Sequence, residues 1–218
     1  MKAIGIIYLT WRKGKGSSRS RVGVIKKNVS NGVSFAYLHA GVKEAEKDGF
    51  TPYVDFPDVT KTYTDNVLDI FGQRLIKTER PDVQKYLDFW AIDAKYKDDK
   101  FYLLAHTQGI LSTDNFEFLA EFNPIKGLSF ISEICGLSYS KLPADFIFVG
   151  EELSWKLDKS NKYDSNAVNV FKGNTYIGNV KLVHCNVFHK TGKQKLKIKV
   201  KSIEKNGYLN RVFINISF

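Results

Sequence analysis

The chain has 218 residues, 43% apolar and 14% aromatic, with a formal charge of +10. That apolar content excludes a disordered chain, and no apolar run approaches the ~20 residues of a membrane-spanning helix. Two cysteines, Cys135 and Cys185, cannot build a disulfide framework and point to a reducing cytoplasm. The N-terminus has a brief apolar stretch, then charges, and no small-residue cleavage site, so it reads as a first strand and not a signal peptide. Charge is laid out in three blocks. Residues 1–43 hold nine basic residues and no acidic one, residues 44–132 ten basic against 16 acidic, and residues 133–218 14 basic against seven acidic. A basic start and end around an acidic middle favour an anionic partner, most often nucleic acid, over charge that serves solubility alone.

Residues 4–11, IGIIYLTW, predict a first strand, followed by strands at 21–27 and 33–38. Asn31-Gly32 is a two-residue hairpin signal, because both positions tolerate positive φ. The loop RKGKGSSRS lacks the Gly-x4-Gly-Lys-Ser/Thr pattern of a phosphate loop and reads as a mobile hairpin loop. From it Arg12, Lys13, Lys15, Arg19 and Arg21 could touch phosphates. A short helix is expected over Gly41–Lys47. Thr64-Asp65 predicts the cap of a second, carrying Val67, Leu68, Phe71, Leu75 and Ile76. Pro81 suits the first turn of a third, with Val83, Tyr86, Leu87 and Trp90 as its stripe. Asp98-Asp99 can cap a fourth over Phe101–Thr107, which Gly109 can end. Residues 116–122, FEFLAEF, alternate as a half-buried strand with Glu117 and Glu121 on the open face. This half is α+β and presents no nucleophile with its base and no acid/base pair.

The Trp-ended strand, the Arg21-Val22-Gly23 strand and the Asn31-Gly32 hairpin into VSFAYL resemble the N-terminal subdomain of HipA-like kinases. Leu103, Leu104 and Gly109 fit the same layout, and the likeness covers about residues 4–122. It implies a regulatory piece without catalytic residues, hence a possible partner or regulator of such a kinase in a bacterial toxin–antitoxin or mobile-element setting.

Pro124 and Gly127 mark residues 124–132 as a boundary, which divides the chain into an α+β domain over 1–123 and a second domain over 133–218. The second half predicts strands at Ile134–Tyr139, Phe146–Val149, Leu153–Leu157, Ala167–Phe171, Tyr176–Val180, Lys195–Ile203 and Arg211–Phe218. Lys172-Gly173-Asn174 and Asn206-Gly207 supply the hairpin turns. So many short strands suggest a small all-β barrel.

This half resembles the HIRAN domain. Asn161-Lys162-Tyr163-Asp164-Ser165-Asn166-Ala167-Val168 matches the family's Asn-Pro-Tyr-Asp-x-Asn-Ala-Val/Ile signature, with Lys162 in place of the proline. NVFKGNTYIGNV follows as the family's strand, turn and Ile-Gly. Gly136, Leu137 and Tyr139 form the upstream Gly-Leu-x-Tyr. Ser138 stands where DNA-binding members can carry Arg, and Asn179 where they carry His. The resemblance implies an SH3- or OB-like barrel that binds the 3′ end of single-stranded DNA. In it Tyr139 and Tyr163 would be base-stacking platforms and Asp164 the partner of the terminal 3′-hydroxyl.

The residue chemistry agrees. Aromatic faces stack any base without sequence choice. A carboxylate beside DNA is repelled by phosphate and useful only where it accepts a hydrogen bond from a hydroxyl. Asn161, Asp164 and Asn166 can equally build a turn by side-chain-to-backbone hydrogen bonds. Lys193, Lys195, Lys197, Lys199 and Lys201 alternate with Leu196, Ile198 and Val200. Such a comb serves as a phosphate-tracking ridge or as charge protection for an edge strand. His184, Cys185 and His189 fall short of a zinc ligand set. The expectation is thus a non-catalytic DNA-binding protein without cofactor or metal. Its candidate contacts are Tyr139, Tyr163, Asp164, Lys162, Lys181, Lys197 and Lys199, and the alternative is a protein-interaction subunit.

Overall fold

A computed structural model describes residues 3–30, 32–161, 164–191 and 196–218. The chain divides into two compact units, one over Ile4–Glu121 and one over Phe122–Phe218 with Ala3.

In the first unit a five-stranded sheet has the order β4-β3-β2-β1-β5. The strands are β1 (Ile4–Trp11), β2 (Ser20–Asn28), β3 (Gly32–Tyr37), β4 (Thr62–Tyr63) and β5 (Phe116–Phe122). Helices α1 (His39–Glu46), α2 (Val67–Gly72), α3 (Val83–Phe89) and α4 (Lys100–Thr107) lie between β3 and β5 in the chain. The core is aromatic: Phe35, Phe56, Phe71 and Phe118 are fully buried, and Phe35 and Phe56 each meet Phe71 with ring centroids 5.2 and 5.0 Å apart. Tyr37 belongs to this core because its hydroxyl is satisfied, donating to Phe56 O and accepting from Tyr53 N–H, both at 2.8 Å.

Two expectations here are corrected. The cap of α2 is Asn66 in the left-handed region, with no side-chain cap bond, and not Thr64 or Asp65. Glu117 is buried and not on an open face. Arg19 grips it at 2.9 Å through two nitrogens, and Arg12 adds a third contact at 3.3 Å. The alternation of β5 therefore hides an ion pair, and the basic loop is tied to the sheet at two points. Arg12 and Arg19 are committed to a carboxylate and do not reach out as phosphate contacts. The cap of α4 is as expected: Asp99 accepts from Tyr102 N–H at 3.0 Å.

His106 is buried on α4, its ring stacked on Tyr102 with centroids 4.1 Å apart. Burial drives its pKa from 6.5 down to about 3. The folded chain thus refuses a proton that the unfolded chain accepts, so stability is full above pH 6.5 and falls as the pH drops from there toward 3. Acid titration of tryptophan fluorescence is expected to show this slope, and His106→Gln to remove it. A slope unchanged in the variant assigns the transition to other groups.

In the second unit six strands close a barrel in the order β10-β11-β6-β9-β8-β7, with β7 returning to β10. They are β6 (Ser129–Cys135), β7 (Glu152–Leu157), β8 (Val168–Lys172), β9 (Thr175–Val180), β10 (Lys197–Asn206) and β11 (Tyr208–Ser217), all paired antiparallel. Helix α5 (Leu137–Ser140) follows β6, and a 3₁₀ helix, His184–Lys190, follows β9. Val168, Val170, Ile177, Val212, Ile214 and Ile216 fill the interior.

The barrel begins earlier than its sequence suggests. Ser129 to Ser132 read as part of a boundary because Pro124 and Gly127 precede them, yet they are strand. Ser129 bonds Asn215 at 3.0 Å, and buried Ser132 bonds His184 Nδ1 at 2.9 Å. Residues 146–149 are not a strand but part of a strap between α5 and β7. Ile147 is buried while Phe148 and Val149 are 60% and 65% exposed, so this apolar run faces two ways.

Candidate nucleic-acid interface

Strand β6 does not run on to Tyr139. Gly136 turns it at φ 86°, a conformation costly for any side chain with a Cβ. The following residues form α5, pinned by buried Leu137. This leaves Tyr139 86% exposed, with no aromatic ring against it among the described residues. An exposed ring on an anchored short helix is a ready stacking surface.

Beside it the barrel presents a polar row. Register places Cys135 opposite Asn179, Asn179 opposite Asn169, and Asn169 opposite Lys156. All four face outward, at least partly exposed. Gly178 lets β9 lie this close, because a Cβ there would sit 2.3 Å from Cys135 O. Asn179 Oδ1 is sheltered from solvent and has no hydrogen-bond partner among the described residues, while the Asn179 side chain bonds Tyr176. Tyr176, 40% exposed, packs edge-on against Phe171 at 5.9 Å. Lys156 Nζ lies 5.4 Å from the Phe171 ring. Lys156, Phe171 and Tyr176 are not among the candidates that residue type alone suggests; the outward positions of β7, β8 and β9 are the signal for them.

At the far end of the row is the loop from β7 to β8. Asn161 Nδ2 donates to Asp158 Oδ2 at 3.3 Å, and Asp164 N–H donates to Asn161 Oδ1 at 3.0 Å. Asn166 N–H then donates to Asp164 Oδ1 at 2.9 Å, while Ala167 N–H reaches Asp164 O at 3.0 Å. The turn-building role open to Asn161 and Asp164 is thus realised. It does not exhaust Asp164. Its side chain is partly exposed, and Oδ2 faces only the Cys185 thiol, at 3.9 Å, among the described residues. Burial first, then the Asp164 charge, push the Cys185 thiol up to about 12, so it stays protonated at neutral pH. Lys162 and Tyr163 of the signature lie outside the described residues.

The lysine comb divides. Lys197 and Lys199 face solvent, with Ile198 and Val200 buried between them. Strand β10 is paired with β11 along its length and with β7 at Ile198 and Lys199. At Ile198 and Lys199 it is no edge, which removes the edge-protection reading for that stretch, while Lys201 lies beyond the β7 pairing. Lys193 and Lys195 lie outside the described residues. Lys181 is corrected outright: it is fully buried, with Nζ 3.2 Å from Glu133 Oε2, and cannot meet a phosphate. Among the described residues no three His, Cys, Asp or Glu side chains gather as metal ligands, and no helix is long and apolar enough to cross a membrane.

No family model matches the chain, and no curated protein matches it; the HipA-like likeness of residues 4–122 thus has no counterpart there. Among solved structures, the chain is similar to a protein from Lactobacillus plantarum, with 16% identity and a TM-score of 0.34 over 42% of this chain and 93% of that one. It is also similar to the HIRAN domain of human HLTF, with 21% identity and a TM-score of 0.32 over 40% of this chain and 74% of that one.

Proposed function

We propose that the Phe122–Phe218 unit is a non-catalytic binder of single-stranded DNA that engages a free 3′ end and positions the strand for other proteins. The observation that carries this reading is the surface running from Tyr139 to Asp164. An unclaimed ring for stacking stands at one end, a partly exposed carboxylate with acceptor capacity at the other, and the row of Asn179, Asn169 and Lys156 between. The signature over Asn161–Val168 supports the same reading. The test is a titration of the full-length protein against single-stranded, duplex and tailed oligonucleotides at two salt concentrations. Tight, salt-dependent binding that needs a single-stranded 3′ end is the expected result. Equal affinity for blunt duplex, or no affinity at low salt, defeats it.

Lys197 and Lys199 extend the surface as phosphate contacts. Lys197→Ala and Lys199→Ala are expected to weaken binding evenly across sequences, each lowering the salt slope by about 0.7 per lysine engaged on a single strand. Unchanged slopes would remove β10 from the interface. One feature favours a protein-interaction role instead: neighbouring Phe148 and Val149 are both well exposed on the strap. That reading takes the lead if the titration shows no nucleic-acid affinity.

A further inference from the structure

We propose that the 3₁₀ helix His184–Lys190 is a latch that sets the orientation of the Asp164 carboxylate, with Cys185, Asn186 and His189 as its positioning residues. The inference rests on the reading of Asp164 as the hydroxyl-recognising group.

Three side chains of this one short helix meet the same loop. Cys185 Sγ lies 3.9 Å from Asp164 Oδ2. Asn186 Oδ1 accepts from Asn166 Nδ2 at 3.5 Å. His189 Nε2 is 3.1 Å from the Asn166 carbonyl oxygen. A carbonyl oxygen only accepts, so Nε2 carries the proton in this contact. Asn166 in turn donates its backbone N–H to Asp164 Oδ1 at 2.9 Å. Whatever holds Asn166 therefore holds one oxygen of Asp164, and the other lies within reach of the single Cys185 thiol proton, which Asn186 Oδ1 shares as an alternative acceptor at 3.7 Å. Among the described residues each oxygen faces one donor, which leaves lone pairs for a ligand hydroxyl.

The latch has a firm base. His184 Nδ1 is 2.9 Å from Ser132 Oγ on β6, and Phe188 packs edge-on against Trp155 at 4.8 Å. Val187 and Phe188 are buried. The helix is entered through Val183 at φ 69° and ψ −48°, a conformation that a β-branched residue adopts only when its surroundings impose it. Buried Val183 bends the chain so that Cys185 N–H returns to Lys181 O at 3.1 Å, which fixes the Cys185 side chain in place. The strained turn thus serves the aim of a thiol that the core does not need as a nucleophile.

The roles of the three side chains separate by chemistry. Cys185→Ser keeps a donor toward Asp164, whereas Cys185→Ala deletes it with little change of volume. His189→Ala frees the Asn166 carbonyl without touching Asp164. The experiment uses the full-length protein and fluorescent single strands that end in a 3′-hydroxyl or a 3′-phosphate. Melting temperature and amide hydrogen exchange at Asn166 and Ala167 are followed alongside. Cys185→Ala is expected to cut the hydroxyl-over-phosphate preference about three- to tenfold, with unchanged affinity for the 3′-phosphate strand, and Cys185→Ser to retain the preference. His189→Ala is expected to speed exchange at the Asn166 amide by about tenfold at an unchanged melting temperature. The latch is overturned if preference and exchange both stay at wild-type values in Cys185→Ala and His189→Ala. Absence of any preference in the wild type defeats the reading of Asp164 itself; the exchange rates then still decide the latch, faster exchange supporting it and unchanged exchange overturning it.

Discussion

Glu133→Ala is expected to cost the barrel about 3–5 kcal/mol, because it removes the Glu133 carboxylate that faces the ammonium of a fully buried lysine. Glu133 projects from β6 and meets Lys181 Nζ at 3.2 Å and Arg211 Nε at 2.8 Å. A loss of that size is a large share of the ~5–15 kcal/mol that holds a domain folded, and it should appear as a fall in the urea midpoint. Burial pushes the Glu133 carboxyl up, but Lys181 and Arg211 outweigh burial, and its pKa ends below the ordinary 4.5. The folded state thus holds the carboxylate more tightly than the unfolded one. Its contribution to stability is present above pH 4.5 and lost as the pH falls through the lowered value. Lys181→Met leaves Glu133 with Arg211 alone and is expected to cost less than Glu133→Ala, and the Glu133→Ala/Lys181→Met double variant, which removes both buried charges, to recover most of the loss. If the double variant is as unstable as Glu133→Ala, the cost comes from Arg211 or from packing and not from the buried ammonium.

Much of this architecture is legible in the sequence, and the failures share a cause. A β-rich apolar run locates β1, and alternation with turn chemistry locates β8, β9 and both late hairpins, where Gly173 and Gly207 sit at the turns. Pattern fails where a polar side chain is buried with a partner distant in the chain. Glu117 looks solvent-facing and is held by arginines 98 and 105 positions away. Ser132 looks like linker and is bonded to His184, 52 positions on. Lys181 looks like a phosphate contact and answers to Glu133. None of these partners can be chosen from one sequence, because pairing is a product of topology. The same limit applies to the site. Tyr139 and Asp164 stand out by residue type. The polar row between them exists only once β6, β9, β8 and β7 lie side by side.

Closure of the barrel also changes what the lysine comb is for. An edge strand needs charges to repel neighbours, but β10 has a partner on each side. At Ile198 and Lys199 both sides of the backbone are paired, so Lys199 guards no open edge, and Lys197 and Lys199 place their charge on an outer face of the barrel.

Asp164→Ala is expected to abolish the preference for a 3′-hydroxyl over a 3′-phosphate while leaving weaker general binding in place. In the proposed complex, stacking on Tyr139 and lysine contacts would hold any single strand, so they would supply affinity without reading its end. Asp164 differs from them in sign. In the proposed role it would accept a hydrogen bond from a terminal hydroxyl and repel a terminal phosphate, so one side chain would both reward the right end and penalise the wrong one. A hydrogen bond to a charged group contributes about 1.5–3 kcal/mol, on the order of ten- to a hundredfold in affinity for the hydroxyl strand. Asp164→Asn separates the two effects: it retains an acceptor and removes the charge, so it should regain part of the hydroxyl affinity and bind the phosphate better than wild type. Tyr139→Ala should weaken both strands alike, by about five- to a hundredfold, and leave their ratio intact. Equal affinity of the wild-type protein for the two ends, measured by competition at one salt concentration, would remove end recognition and leave the barrel a general single-strand binder.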